Sequence, residues 1–175
     1  VPKSRTLHGI STNQKMSLLN YLLEHNSTMD VHDLRLSFVR SCAICSIQSI
    51  LFGLGDRHLE NILLTEDGCM FHVDYSYIFG NEPCMKTLVV GSNHRMKLTP
   101  SIIDVMGGEN SKYFKIFKQQ SQLVYRVLRK QVNDFVCLCE PLVFSGRLKK
   151  QQLFDHFYAA FRPGETVREA DIKVE

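Results

Sequence analysis

Apolar residues fall along this chain in stretches whose period changes. The stretch "TNQKMSLLNYLLEH" places Met16, Leu19, Leu22 and Leu23 on one face at helical spacing. Residues 33–53 continue a longer helical pattern through Leu34, Phe38, Cys42, Cys45 and Ile50, and Gly53 and Gly55 end it. The period then shortens. "NILLTEDGCMFHVD" reads as a hairpin, with Ile62 to Leu64 outgoing, a turn at Glu66-Asp67-Gly68, and Cys69 to Val73 returning. Residues 75–99 keep no clean period, broken by Gly80, Pro83, Gly91 and Ser92, and long irregular segments in compact domains tend to carry function. "TPSIIDVMGG" predicts a short helix capped by Thr99 or Ser101. Residues 110–140 are strongly helical, with Phe114, Phe117, Leu123, Val124, Val127, Leu128 and Val132 as apolar positions. A last helix is expected over 148–161, bounded by "RPGE". The fold class is therefore mainly α with a small β-hairpin.

Composition narrows this without redirecting it. At 175 residues, 44% hydrophobic and 22% charged, the chain fits one domain or one large lobe with a real core. A formal charge of +3 is too small to argue for nucleic acid, and no direct nucleic-acid binding is expected. No apolar run is expected to approach the length needed to span a bilayer, and nothing resembles a signal peptide. The six cysteines, at 42, 45, 69, 84, 137 and 139, keep no regular framework. Cys42-x-x-Cys45 lies within a helical pattern and lacks a second ligand pair, so it is read as core packing in a reducing, intracellular compartment. The chain starts at Val1 without an initiator methionine and is expected to be an excised piece.

The candidate chemistry lies where the helical period gives way to the hairpin. "GLGDRHLENILL" crowds Asp56, Arg57, His58, Glu60 and Asn61 against the end of an apolar helix, and Asp74 follows the hairpin. Phosphoryl transfer from ATP needs a group that orients or deprotonates the nucleophile, and oxygen ligands for magnesium. Protein kinases supply these with an Asp, an Asn five positions later, and a second Asp after a short hairpin. Asp56 and Asn61 have that separation, and the returning strand brings Asp74 back beside Asn61. A carboxylate and an amide oxygen can then share one hard cation. Arg57 and His58 suit phosphate charge or proton transfer. His72 is expected to share a strand face with Asp74, as a packed or hydrogen-bonded histidine.

"GLGDRHLENILL" together with "FHVDYSYIFG" resembles the catalytic and metal-binding motifs of the phosphatidylinositol 3-/4-kinase superfamily, which includes lipid kinases and the related large protein kinases. The order Asp-Arg-His replaces the His-Arg-Asp of ordinary protein kinases, and DRHLEN fits the family's DRHxxN. "RSCAICSIQSILFGLGDRH" is similar to the helix entering the loop, "MKLTPSIIDVMGG" to the end of the activation segment, and "VPKSRTLHGI" to the chain just past the hinge between lobes. The resemblance implies a protein-kinase-like C-lobe over 1–175. Within it, 53–61 would be the catalytic loop, 62–73 the hairpin, 74–100 the metal-binding and activation segment, and 101–175 the helical C-terminal part. It implies that Asp56 orients or activates the hydroxyl and that His58 assists, with the proton acceptor left open between them. Arg57 would support the loop, and Asn61 and Asp74 would hold Mg2+ or Mn2+, with ATP as co-substrate.

Two departures qualify the likeness. Where the family has Asp-Phe-Gly, this chain has Asp74-Tyr75-Ser76. Serine lacks glycine's access to positive φ, so the following segment is expected to leave at a different angle. The chain also lacks a glycine-rich loop and a phosphate-binding lysine strand, so the N-lobe is expected to be absent. This lobe alone is then expected to bind ATP poorly and to show little activity. Regulatory domains, and a helix beyond "EADIKVE", are expected to lie outside it.

Lys86, Arg95 and Lys97, with His94, are candidates for meeting the phosphates of an inositol headgroup. "DYSYIFGNEP" is nearer to lipid-kinase forms. A phosphatidylinositol headgroup at a membrane surface is therefore the first substrate reading, and a Ser/Thr protein substrate the alternative. An inactive lobe kept for binding or assembly is the second alternative. Lys112, Lys115 and Lys118 are read as a solvated helix face. The expected location is cytoplasmic or peripheral on membranes, or nuclear for a protein-kinase relative.

Overall fold

A computed structural model describes residues 3–13, 16–81 and 98–165. In chain order these form β1 (Ser4–Thr6), α1 (Leu7–Asn13), α2 (Leu18–His25), α3 (Val31–Phe52), β2 (Ile62–Thr65), β3 (Met70–His72), α4 (Pro100–Val105), α5 (Lys112–Leu128), a 3-10 turn (Arg129–Gln131), α6 (Val132–Phe144) and α7 (Lys150–Phe161). The expected hairpin is present as β2 and β3, and β1 joins it to make a three-stranded antiparallel sheet ordered β1-β2-β3.

Local chemistry sets the boundaries. Ser17, Asp30, Thr99 and Ser111 each turn a side-chain oxygen onto an early amide of α2, α3, α4 and α5. Gly53, at φ 53°, ends α3 in the left-handed conformation that suits glycine. At the hairpin tip Gly68 has φ 82°, and an added Cβ would sit 2.9 Å from the Leu34 carbonyl oxygen. The sheet therefore lies directly on α3.

The described residues bury two apolar clusters. One joins Leu34, Phe38, Cys42 and Cys45 of α3 to Tyr21 and Leu22 of α2, Leu64 of β2 and Ile102 of α4. The other joins Ile47 and Leu51 of α3 to Tyr125, Val136, Phe157 and Phe161. Phe157 meets Phe52 and Phe79 edge-on, at 6.3 and 5.4 Å between centroids. Such pairs add about 0.5–1.5 kcal/mol beyond the area they bury. By length and composition α3 could cross a membrane, which corrects the expectation that no apolar run approaches that length. Its apolarity has another cause: α5, β3 and α7 pack around it, and a helix covered on several sides carries no polar face.

Three helical readings shift. The buried positions of α2 are Leu18, Tyr21 and Leu22, while Leu23 is exposed. The buried stripe of α5 is Tyr113, Phe117, Ser121 and Tyr125, and Leu123 and Val127 face outward. The expected single helix over 110–140 is interrupted by the 3-10 turn. There Arg129 is buried, and its guanidinium donates to the carbonyl oxygens of Phe161, Arg162 and Glu165, capping α7.

Cys42 and Cys45 lie in the core, and Cys45 Sγ points at the Met70 carbonyl oxygen at 3.3 Å. Burial pushes the Cys45 thiol up to about 12 and raises Cys42 well above its ordinary value. At pH 8 an aqueous thiol reagent is expected to modify exposed Cys137 while sparing Cys42 and Cys45 until the protein unfolds. Mass spectrometry of the labelled peptides checks this, and early labelling at Cys42 would contradict the packing.

Candidate functional site

The end of α3 delivers a loop that is stitched on one side to the chain after Asp74. Phe79 N–H donates to the Phe52 carbonyl at 2.7 Å, Gly80 N–H to Gly53 at 3.0 Å, and Gly55 N–H to Tyr77 at 3.0 Å. Asp56 then takes φ 54°, a left-handed value that costs most residues about 1–2 kcal/mol and that aspartate tolerates better than most. The turn releases the chain from the helix axis and starts the polar run.

Arg57 locks that run to the hairpin. Its Nε donates to the Gly55 carbonyl at 2.8 Å, Nη1 to the Val73 carbonyl at 2.7 Å, and Nη2 to the Asp74 carbonyl. One planar guanidinium therefore joins the residue before Asp56 to the two residues that follow β3.

His58 stands between carboxylates. Its Nε2 lies 3.7 Å from Asp56 Oδ1 and its Nδ1 3.8 Å from Glu60 Oε2. Glu60 N–H approaches Nδ1 at 3.2 Å, and Asn61 Nδ2 approaches Nε2 at 3.3 Å. Each ring nitrogen thus has one N–H within hydrogen-bond distance and one carboxylate just beyond it. Glu60 is an addition to the candidate site residues. Its place two positions after His58 is the signal in the sequence that could have found it.

Asn61 is nearly buried, and its Nδ2 donates to the Asp56 carbonyl at 2.9 Å. That bond orients the amide, and Oδ1 makes no hydrogen bond among the described residues. Val73 N–H donates to the Asn61 carbonyl at 3.0 Å, which places Asp74 beside Asn61 as the hairpin requires.

Asp74 departs from the strand. Strand alternation predicts it on the face of His72, yet β3 ends at His72 and Asp74 turns out to solvent at φ 57°. His72 stays buried, with Nε2 3.0 Å from Ser49 Oγ and 3.2 Å from the Cys45 carbonyl oxygen. Burial lowers its pKa and favours the neutral ring. The histidine is hydrogen-bonded as expected, but the expected shared face with Asp74 is lost to the turn.

Ser76 has an unforeseen part. Its hydroxyl and its N–H both donate to Asp74 Oδ1, at 2.6 and 3.1 Å. The left-handed residues of this segment are Asp74, Phe79 and Gly80, so serine in the glycine position meets no backbone conflict. The Ser76 hydroxyl first, then its N–H, with Arg57 and His58 nearby, hold the Asp74 carboxyl below its ordinary value. A lowered pKa keeps the charge as pH falls through the usual carboxylate range near ~3.9, and the charge is lost only below it. Asp74 is therefore expected to show no titration between pH 5 and 8. In Ser76→Ala its midpoint moves up toward the ordinary value, as carboxyl NMR would report.

The oxygen donors fit a hard divalent cation. Asp74 Oδ2 makes no hydrogen bond among the described residues, and the adjacent Asn61 Oδ1 is left open by its own amide geometry. The structure thus brings together Asp56, Arg57, His58, Asn61 and Asp74. Lys86, Arg95 and Lys97, with His94, lie outside the described residues. Lys112, Lys115 and Lys118 are exposed along α5.

The family model described as phosphatidylinositol 3- and 4-kinase matches residues 3–149. The phosphatidylinositol 3-kinase pik3 of Schizosaccharomyces pombe is 35% identical over 148 residues, covering 80% of this chain and 18% of that protein. The phosphatidylinositol 3-kinase VPS34 of Saccharomyces cerevisiae is 36% identical over 134 residues, covering 74% of this chain and 15% of its own length. The phosphatidylinositol 3-kinase catalytic subunit type 3 of Caenorhabditis elegans is 41% identical over 110 residues, covering 63% and 12%. The chain therefore spans less than a fifth of these curated relatives.

Proposed function

Because this chain belongs to the phosphatidylinositol 3- and 4-kinase family, we propose that it is the C-lobe of a lipid kinase that moves the γ-phosphate of ATP to a hydroxyl of a phosphatidylinositol headgroup. The observation that carries this is the Asn61–Val73 main-chain bond, which sets Asp74 beside Asn61 and close to the loop of Asp56 and His58. The names of the relatives, all phosphatidylinositol 3-kinases, favour the 3-position of the inositol ring.

Asn61 and Asp74 would hold Mg2+ or Mn2+. When bound with ATP, the cation neutralises the charge on the phosphates. Asp56 and His58 Nε2, 3.7 Å apart, would meet the attacking hydroxyl together, orienting it and taking up its proton. Arg57 stays on the backbone and keeps the loop and the hairpin in one register. Catalysis comes mainly from positioning and charge, as phosphoryl transfer allows. This reading requires an N-lobe with a phosphate-binding lysine and an anionic membrane surface, at which a cytoplasmic or peripheral enzyme would work. Lys86, Arg95 and Lys97 would face the headgroup.

The test is phosphate transfer by the full-length protein, given Mg2+, labelled ATP and phosphatidylinositol vesicles in parallel with a Ser-containing peptide. Label on the lipid, with the ring position read by chromatography of the headgroup, is the expected result. Label on the peptide alone would replace this reading with a Ser/Thr protein kinase. No transfer from folded protein would leave a binding or assembly module.

A further inference from the structure

Asp74 has positive φ and lies in solvent, so neither helix nor strand geometry holds it. Its neighbours are held instead, and both by consecutive residues of α3. On the N-terminal side, His72 Nε2 reaches Ser49 Oγ at 3.0 Å. Ser49 Oγ donates to the Cys45 carbonyl at 3.0 Å, so its lone pair is available to the imidazole N–H. On the C-terminal side, Gln48 Nε2 donates to the Tyr75 hydroxyl at 3.1 Å. That hydroxyl in turn donates to the His72 carbonyl at 3.4 Å, closing a ring of residues across Asp74.

The tyrosine itself argues that the hydroxyl matters. Tyr75 is 46% exposed, so its ring fills no core, and a phenylalanine there would only set an apolar edge in water. Ser49 and His72 are 0% and 4% exposed, and His72 Nδ1 has no hydrogen-bond partner among the described residues, so the Nε2 bonds to Ser49 and Cys45 are what fix the ring. Gly53, which opens the catalytic loop, ends the same helix four residues on. Movement of Asp74 relative to Asp56 and Asn61 is therefore opposed from one rigid element.

We infer that Gln48 and Ser49 are positioning residues for Asp74, acting through Tyr75 and His72, and that the Tyr75 hydroxyl is part of the site. The inference rests on the metal-holding role proposed for Asp74. It adds a second support, distinct from the Arg57 clasp, and it assigns a use to the tyrosine that stands where the resemblance has phenylalanine.

Full-length protein carrying Ser49→Ala, Tyr75→Phe, or both, tests this, because each change removes one hydroxyl and adds no bulk. Three quantities are measured: exchange of the Val73 amide, Mn2+ binding by electron paramagnetic resonance in the presence of a non-hydrolysable ATP analogue, and the separate kcat and KM for lipid. Each single change is expected to raise half-saturating Mn2+ a few-fold and the pair by about tenfold, the lower end of the range for groups that orient metal ligands. kcat should fall in step while KM for lipid stays put. Val73 exchange should quicken while the Tyr125 amide, in the other core, keeps its rate. Unchanged Val73 exchange and Mn2+ binding in the double variant would overturn the inference. So would a uniform quickening of both amides, which would mean that the bonds serve stability alone. If the parent protein moves no phosphate, the function reading fails, and Val73 exchange still decides this one.

Discussion

Asp74→Asn is expected to cut phosphate transfer by the full-length protein by on the order of 10²–10³-fold, the range seen when one preorganised charge-stabilising group is removed. Asparagine is the informative substitution here. It accepts the left-handed φ of 57° at least as well as aspartate, and its amide oxygen can still take both hydrogen bonds from Ser76. Shape, turn and main-chain contacts therefore survive, while the negative charge goes and the open Oδ2 acceptor becomes an NH2 that cannot bind a cation. The melting midpoint should stay with the parent's, because the side chain is exposed. The loss should fall on kcat, with Mn2+ affinity reduced and KM for lipid held, since Asp74 is assigned to the cation and not to the headgroup. A variant that keeps more than a tenth of parental kcat would remove Asp74 from the metal site.

Gly55→Ala should be the most damaging single methyl in the described residues. A Cβ at Gly55 would lie 2.0 Å from the Asn81 carbonyl oxygen and 3.1 Å from Tyr77 Cβ. The first obstacle is backbone, so no rotamer change relieves it. Either the loop or residues 77–81 must move, and the Gly55–Tyr77 hydrogen bond is stretched whichever gives way. Overpacking of this kind costs about 1–3 kcal/mol and sometimes more. The Arg57 bond is to the carbonyl of Gly55 itself, so activity should fall even in molecules that fold. Urea unfolding and kcat per folded molecule separate the two effects. A midpoint equal to the parent's would show that the loop does not lie against residues 77–81 as described.

The hairpin, the Gly53 stop and the Thr99 cap could be read from the chain because each depends on neighbours in sequence. So could the juxtaposition of Asn61 with Asp74, since a hairpin of known length returns to its origin. What escaped were contacts set by residues far apart. Leu123 and Val127 looked like core positions on α5, yet it is Tyr113 and Tyr125 that join the expected Phe117 in facing inward. Tyr125 can do so because its hydroxyl reaches the Ala160 carbonyl, 35 residues away, at 2.8 Å. Arg129 was invisible for the same reason: a buried guanidinium makes sense only once the end of α7 is beside it. At Asp74, strand alternation failed because one left-handed residue redirects the side chain away from the strand face. The effect of Ser76 depended on the same turn.

One helix serves two interiors: α3 lies in one apolar cluster as far as Cys45 and in the other from Ile47 onward. It works as an axle between two separately greased bearings, with the loop of Asp56, His58 and Asn61 mounted at its end. Neither bearing can be dismantled alone, because loosening either leaves part of the shaft naked in water. Heat should therefore take both interiors apart in a single cooperative step, and a partly melted molecule that still holds Asp56, His58 and Asp74 together should not accumulate.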